Sequence, residues 1–149
     1  MVDDQIYIFL SRSNSNHKTK VIGFDTEWLA NNPDVSSRSS SKCSTVQLCD
    51  GYFCLIIQLS HFVTVLESLV NFLSQPNYMF VGFGIKDNVA KLEKNYGFEC
   101  RNRVELAPLA ATAMKRPRLS YCVVDELAYV VTKLDLGKEW TLNFAFSVG

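Results

Sequence analysis

Histidine is nearly missing from this chain: His17 and His61 are the only two in 149 residues. Neither has a partner at ligand spacing, so an imidazole metal centre or histidine base has no support in the sequence. The five cysteines, Cys43, Cys49, Cys54, Cys100 and Cys122, form no Cys-x-x-Cys pair, and no zinc site is expected. An odd, scattered set of this kind reads as reduced thiols packing as small hydrophobes in the nucleus or cytoplasm. Net charge is also absent, because fifteen Lys and Arg cancel fifteen Asp and Glu. No global field draws the protein to nucleic acid or membrane, and any nucleic-acid contact must be local. No apolar run is long enough to span a bilayer, and Met1-Val2-Asp3-Asp4 is acidic where a secretory signal is basic. Neither a membrane partner nor a secretory leader is therefore expected. No serine or cysteine has a neighbouring base to activate it, which leaves nucleophilic catalysis little ground.

What is present is apolar and aromatic content, 48% and 12% of residues, enough for one core and one domain over residues 1–149. Alternation predicts strands over residues 5–10 and 21–27. Two more, over 44–49 and 52–58, are joined by Asp50-Gly51, a pair that favours a tight hairpin turn. Helical spacing appears over 62–73, and Gln75-Pro76-Asn77 stops it. An apolar strand over 78–85 ends in Gly82-Phe83-Gly84, and a helix over 86–96 closes at Gly97. Helices are predicted over 105–114 and 119–134, separated by Lys115-Arg116-Pro117-Arg118. A hairpin meander followed by helices and a further strand indicates a mixed β-sheet with helices packed on it, an α/β or α+β fold.

The most informative run is Val21-Ile22-Gly23-Phe24-Asp25-Thr26-Glu27-Trp28. Strand side chains alternate faces, so Asp25 and Glu27 project from one side of the sheet, where a single divalent cation can reach both. Trp28 closes the run as a large stacking surface. Residues 30–42, rich in serine and asparagine, read as a surface loop whose Arg38 and Lys42 are candidate phosphate contacts, set against the plainer reading of a solvated loop. Gly82-Phe83-Gly84 lacks the third glycine of a phosphate loop and reads as close strand–helix packing. The basic cluster at residues 115–118 is a candidate nucleic-acid contact or nuclear address, against a simple inter-helix turn.

Three motifs in order carry a resemblance: the run 21–28, then Thr45-Val46-Gln47-Leu48-Cys49, then Phe80-Val81-Gly82-Phe83-Gly84-Ile85-Lys86-Asp87-Asn88-Val89-Ala90-Lys91-Leu92. Together they resemble the Werner-type 3'-5' exonuclease domain of the DEDD superfamily, which has a ribonuclease-H-like fold, over roughly residues 21–136. The resemblance implies two-metal phosphodiester hydrolysis at DNA or RNA 3' ends, with Mg2+ or Mn2+ held by four acids. It gives Asp25 the bridging position between the ions and Glu27 the ion that activates water, with Trp28 near the terminal nucleotide. A nuclear or cytoplasmic location follows from the same resemblance.

Two departures concern the metals. Neutral Asn88 stands where the family carries its second-motif aspartate, and an amide oxygen is a weaker ligand for a hard cation. Asp87 is the adjacent acid, either a substitute ligand if the helix start is irregular or a helix N-terminal acid favoured by the dipole. The final motif, Tyr-x-x-x-Asp on a helix, is matched by Tyr121-Cys122-Val123-Val124-Asp125, whose spacing would put both side chains on one helical face. It comes too early, however, and Leu119, Val123, Leu127, Val130 and Val131 read instead as an apolar core stripe. Residues 137–149 look divergent, with a short strand pattern over 141–148, and the expectation is an incomplete metal site with impaired activity. The alternative is a catalytically degenerate domain that binds nucleic acid or a protein partner.

Overall fold

In a computed structural model, residues 2–13, 20–28, 43–59 and 67–133 are described. The predicted loop with Arg38 and Lys42, both histidines and the tail beyond residue 133 lie outside the described residues. The chain divides into two compact units, Met1–Glu105 and Leu106–Gly149.

The first unit begins with α1 (Val2–Ser13), where a strand was expected over residues 5–10. The run Ile6-Tyr7-Ile8-Phe9-Leu10 is apolar throughout, and such a run suits either period. Packing decides for the helix: Ile6 and Phe9 are buried and Leu10 packs against the core, while Tyr7 stays exposed. Then follow β1 (Lys20–Trp28), β2 (Cys43–Cys49), β3 (Cys54–Gln58), α2 (Glu67–Leu73), β4 (Tyr78–Gly82), α3 (Ile85–Tyr96) and β5 (Arg103–Glu105). The five strands form one sheet in the order β3-β2-β1-β4-β5. β1 pairs antiparallel with β2, and β2 with β3, whereas β4 runs parallel to β1 and β5 parallel to β4. This is the expected mixed sheet flanked by helices. The acid-bearing β1 is its central strand.

Alternation along the strands builds the core. Ile22, Phe24 and Thr26 are buried on one side of β1, joined by Val46, Leu48, Tyr78 and Phe80 from its neighbours. Phe72 of α2 meets Phe9, Tyr78 and Phe80 edge to face, with ring centroids 6.1, 4.9 and 5.3 Å away, the arrangement the ring quadrupole favours. The hairpin is wider than predicted. Cys49 pairs with Cys54, and Asp50 Oδ1 accepts the backbone N–H groups of Tyr52 and Phe53, each at 2.9 Å. These two residues thus belong to a four-residue turn around Gly51 and not to β3. α3 ends as expected: Gly97, at φ 71°, returns its N–H to the Glu93 carbonyl, a left-handed cap that glycine adopts without strain.

The second unit holds α4 (Leu106–Ala113), a 3-10 helix (Pro117–Tyr121) and α5 (Val124–Thr132). The single helix expected over residues 119–134 is broken, because Cys122 and Val123 are extended. Leu119, Cys122 and Leu127 are buried, but Val123 and Val131 are 65% and 51% exposed, so the predicted apolar stripe is not continuous. No helix among the described residues is long and apolar enough to cross a membrane.

Candidate metal-binding face

β1 carries the acid pair as its alternation predicts. Asp25 and Glu27 are both exposed, on the face opposite buried Phe24 and Thr26. The backbone N–H of Thr26 donates to Asp25 Oδ1 at 2.8 Å. β1 pairs with β4 only through Gly23, while its pairing with β2 continues to Trp28. The acids therefore stand beyond the end of the parallel β1–β4 ladder, at the carboxyl ends of parallel strands where α/β sheets present their ligand sites.

The antiparallel register adds two residues that the one-dimensional pattern did not single out. Gln47 lies opposite Asp25 and Thr45 opposite Glu27, and paired residues share a face. Thr45 Oγ1 is buried with no hydrogen-bond partner among the described residues, leaving a free oxygen beside Glu27. Next to it, burial pushes the Cys43 thiol up to about 11, and the negative charge of Glu27 adds to the shift while a Thr45 backbone hydrogen bond opposes it. Asp25, Glu27, Gln47 and Thr45 thus share one face of the sheet by register, and carboxylate, amide and hydroxyl oxygens are donor types that suit a hard divalent cation. No group of three or more His, Cys, Asp or Glu that could hold a metal occurs among the described residues. Among the described residues the donors on this face are thus two carboxylates with an amide and a hydroxyl beside them, a set that suits one hard cation.

The other candidates fall as follows. Asn88 N–H donates to the Gly84 carbonyl at 3.1 Å, so α3 is regular from its first turn and Asp87 is not rotated into the position of Asn88. Ile85, Val89 and Leu92 define the buried face of α3. At about 100° per residue Asp87 lies on the opposite side, and Asn88 lies on a flank with Lys91. Lys91 Nζ sits 5.3 Å from the centre of the Trp28 ring, which marks that flank as the one beside the end of β1. Trp28 is half-buried against the core, and its indole N–H donates to Thr26 Oγ1 at 2.9 Å. Lys91 over the ring brings a cation to the predicted stacking surface.

Glu105, at the end of β5, is a further residue with a structural role that the sequence did not disclose: its carboxylate accepts the N–H of Gly84 and holds the start of α3. In the second unit Tyr121 ends the 3-10 helix and is 92% exposed, while Asp125 lies in the first turn of α5. The extended residues between them remove the common helical face that the Tyr-x-x-x-Asp spacing suggested.

A mixed sheet in this order, with an acid pair on its central strand and a helix starting after the adjacent parallel strand, defines a DEDD-type, ribonuclease-H-like α/β domain. The family model described as 3'-5' exonuclease matches residues 7–145, and the chain belongs to that family. Among curated proteins it is 30% identical over 118 residues to the RISC-interacting clearing 3'-5' exoribonuclease 1 of Arabidopsis thaliana, covering 78% of this chain and 58% of that protein. Among solved structures it is similar to the EXD2 exonuclease domain soaked in Mg and GMP, at TM-score 0.63 and 21% identity, covering 90% of this chain and 66% of that one. The same domain soaked in Mn and dGMP gives TM-score 0.61 at 23% identity, with 91% and 68% covered. These structural likenesses establish the fold. The chain spans about 58% of its curated relative's length.

Proposed function

We propose that this chain is a 3'-5' exonuclease domain acting on nucleic-acid 3' ends, with RNA the preferred substrate and with hydrolysis impaired. The observation that carries the reading is the pair Asp25 and Glu27, exposed together on one face at the end of the parallel ladder. RNA is favoured by the printed name of the Arabidopsis relative, an exoribonuclease. Mg2+ or Mn2+ held by Asp25 and Glu27, with Gln47 and Thr45 beside them, would supply Lewis-acid polarisation of a phosphodiester. Lys91 and Trp28 on the neighbouring flank suit a phosphate and a base respectively. The proposal places the protein in the nucleus or cytoplasm, where thiols such as these stay reduced.

Impairment is supported by neutral Asn88 at the second-motif position and by the lack of a three-acid cluster among the described residues. The same two observations favour the second reading, a degenerate domain that binds nucleic acid, or a protein partner, without turnover. A 3'-labelled single strand and a recessed duplex, as RNA and as DNA, incubated with Mn2+ beside an Asp25→Ala control, separate the two. Slow release of 3' nucleotides that disappears in the control supports the enzyme. Nucleic-acid binding with cleavage no greater than in the control supports the binding module.

A further inference from the structure

We propose that Cys49 and Cys54 form a peroxide-sensitive dithiol that closes to a disulfide across the β2–β3 hairpin. The two residues face each other directly in the antiparallel ladder. Asp50 N–H donates to the Phe53 carbonyl at 3.1 Å, which makes residues 50 and 53 the hydrogen-bonded pair that closes the turn. The alternation of antiparallel ladders then makes 49 and 54 a non-hydrogen-bonded pair, the type whose Cα atoms lie about 4.5 Å apart. That separation falls within the range of roughly 4.4–6.8 Å that disulfides span. The Cys54 thiol is also held up at about 11, chiefly by hydrogen bonding with Cys49, with burial and the neighbouring charges adding to it. Cys54 is exposed and Cys49 half-buried, whereas Cys43, Cys100 and Cys122 are buried.

The chemistry balances with hydrogen peroxide as oxidant. The Cys49 sulfur takes one oxygen of hydrogen peroxide as the O–O bond breaks, and a sulfenic acid and one water result. The Cys54 sulfur then displaces the hydroxyl from the Cys49 sulfur as a second water, and the S–S bond forms. Two thiols are oxidised and one peroxide is reduced to two waters. The pair stands on the face that carries Asp25, since Cys49 lies opposite Gly23 and Gln47 opposite Asp25. Closure ties β3 to the strand that brings Gln47 and Thr45 to the acids.

The test is a hydrogen peroxide titration of the full chain, followed by unfolding, alkylation and peptide mass mapping. The expected product is a peptide pair joined through 49 and 54, lighter by two hydrogens, about 2 Da, and restored by dithiothreitol, with the other three cysteines alkylated. It should vanish in Cys54→Ser, a substitution at an exposed position. Overoxidation of Cys54 with Cys49 still free, linkage between two chains, or no oxidation at either residue overturns the proposal. The wild-type map decides even if Cys54→Ser does not fold.

Discussion

Gly82 is the position where fold and site meet most tightly, and Gly82→Ala tests that junction. A Cβ there would collide with the carbonyl oxygen of Phe24, the residue before Asp25, and would come within 3.2 Å of Ile85 Cβ and 3.4 Å of the Phe24 carbonyl carbon. The principal obstacle is backbone, so no rotamer change relieves it. β1 and β4 must separate locally by about 1 Å to restore an ordinary contact, and overpacking of this kind costs about 1–3 kcal/mol. For a chain of this size each kcal/mol lowers the melting temperature by about 2–4 °C, so a cost of about 2 kcal/mol should lower it by about 4–8 °C. Gly84→Ala is the contrast, because its Cβ would meet nothing within 4 Å and only its φ of +66° is unfavourable, at about 1–2 kcal/mol. Circular dichroism melts of both variants, with Mn2+ binding measured below the transition, separate the steric from the conformational cost. The account predicts that Gly82→Ala weakens Mn2+ binding by displacing Asp25, while Gly84→Ala loses stability alone. A Gly82→Ala protein with wild-type melting temperature and Mn2+ affinity refutes the close β1–β4 approach as a determinant of the site.

Phe72→Ala should cost about 3–5 kcal/mol in urea unfolding, since the ring is 1% exposed and meets three other aromatic rings. Tyr96→Phe, which removes the hydroxyl that donates to the Cys43 carbonyl at 3.1 Å, should cost about 1 kcal/mol in the same assay. Asn88→Asp should strengthen Mn2+ binding and raise any 3' nucleotide release severalfold, because it restores a charge on the flank of α3 beside Trp28; unchanged binding would separate that flank from the metal. Burial raises the Cys43 and Cys100 thiols from 9.0 to about 11. The neutral thiols are thus favoured in the folded state, and their contribution is fully present below pH 9 and lost as pH rises toward 11. Unfolding free energies at pH 8 and 10.5 should show that decline, and a Cys43→Ala, Cys100→Ala double variant should show less of it.

Much of this architecture was legible because period and position agreed. The β1 alternation located Asp25 and Glu27 on one face, and α3 announced itself through Val89, Leu92, Tyr96 and a terminal Gly97. Where signals conflicted or were short, the sequence misled. Residues 5–10 are apolar at nearly every position, so only the burial of Ile6 and Phe9 against exposed Tyr7 selects a helix. β5 has three residues, too few for a period to show. The helix expected over residues 119–134 is interrupted at Cys122 and Val123, where the buried Cys122 thiol donates to the Leu119 carbonyl at 3.0 Å. Gln47 and Thr45 join the acid pair only through cross-strand register, and Glu105 reaches Gly84 across 21 residues. Such contacts are tertiary and leave no local pattern.

Calorimetric titration of Mn2+ into the wild-type chain and into Asp25→Ala and Glu27→Ala tests the acid pair most directly. The account predicts one Mn2+ per wild-type chain, with binding abolished by either substitution. Wild-type protein that takes up no Mn2+, or variants that bind it as the wild type does, would contradict it.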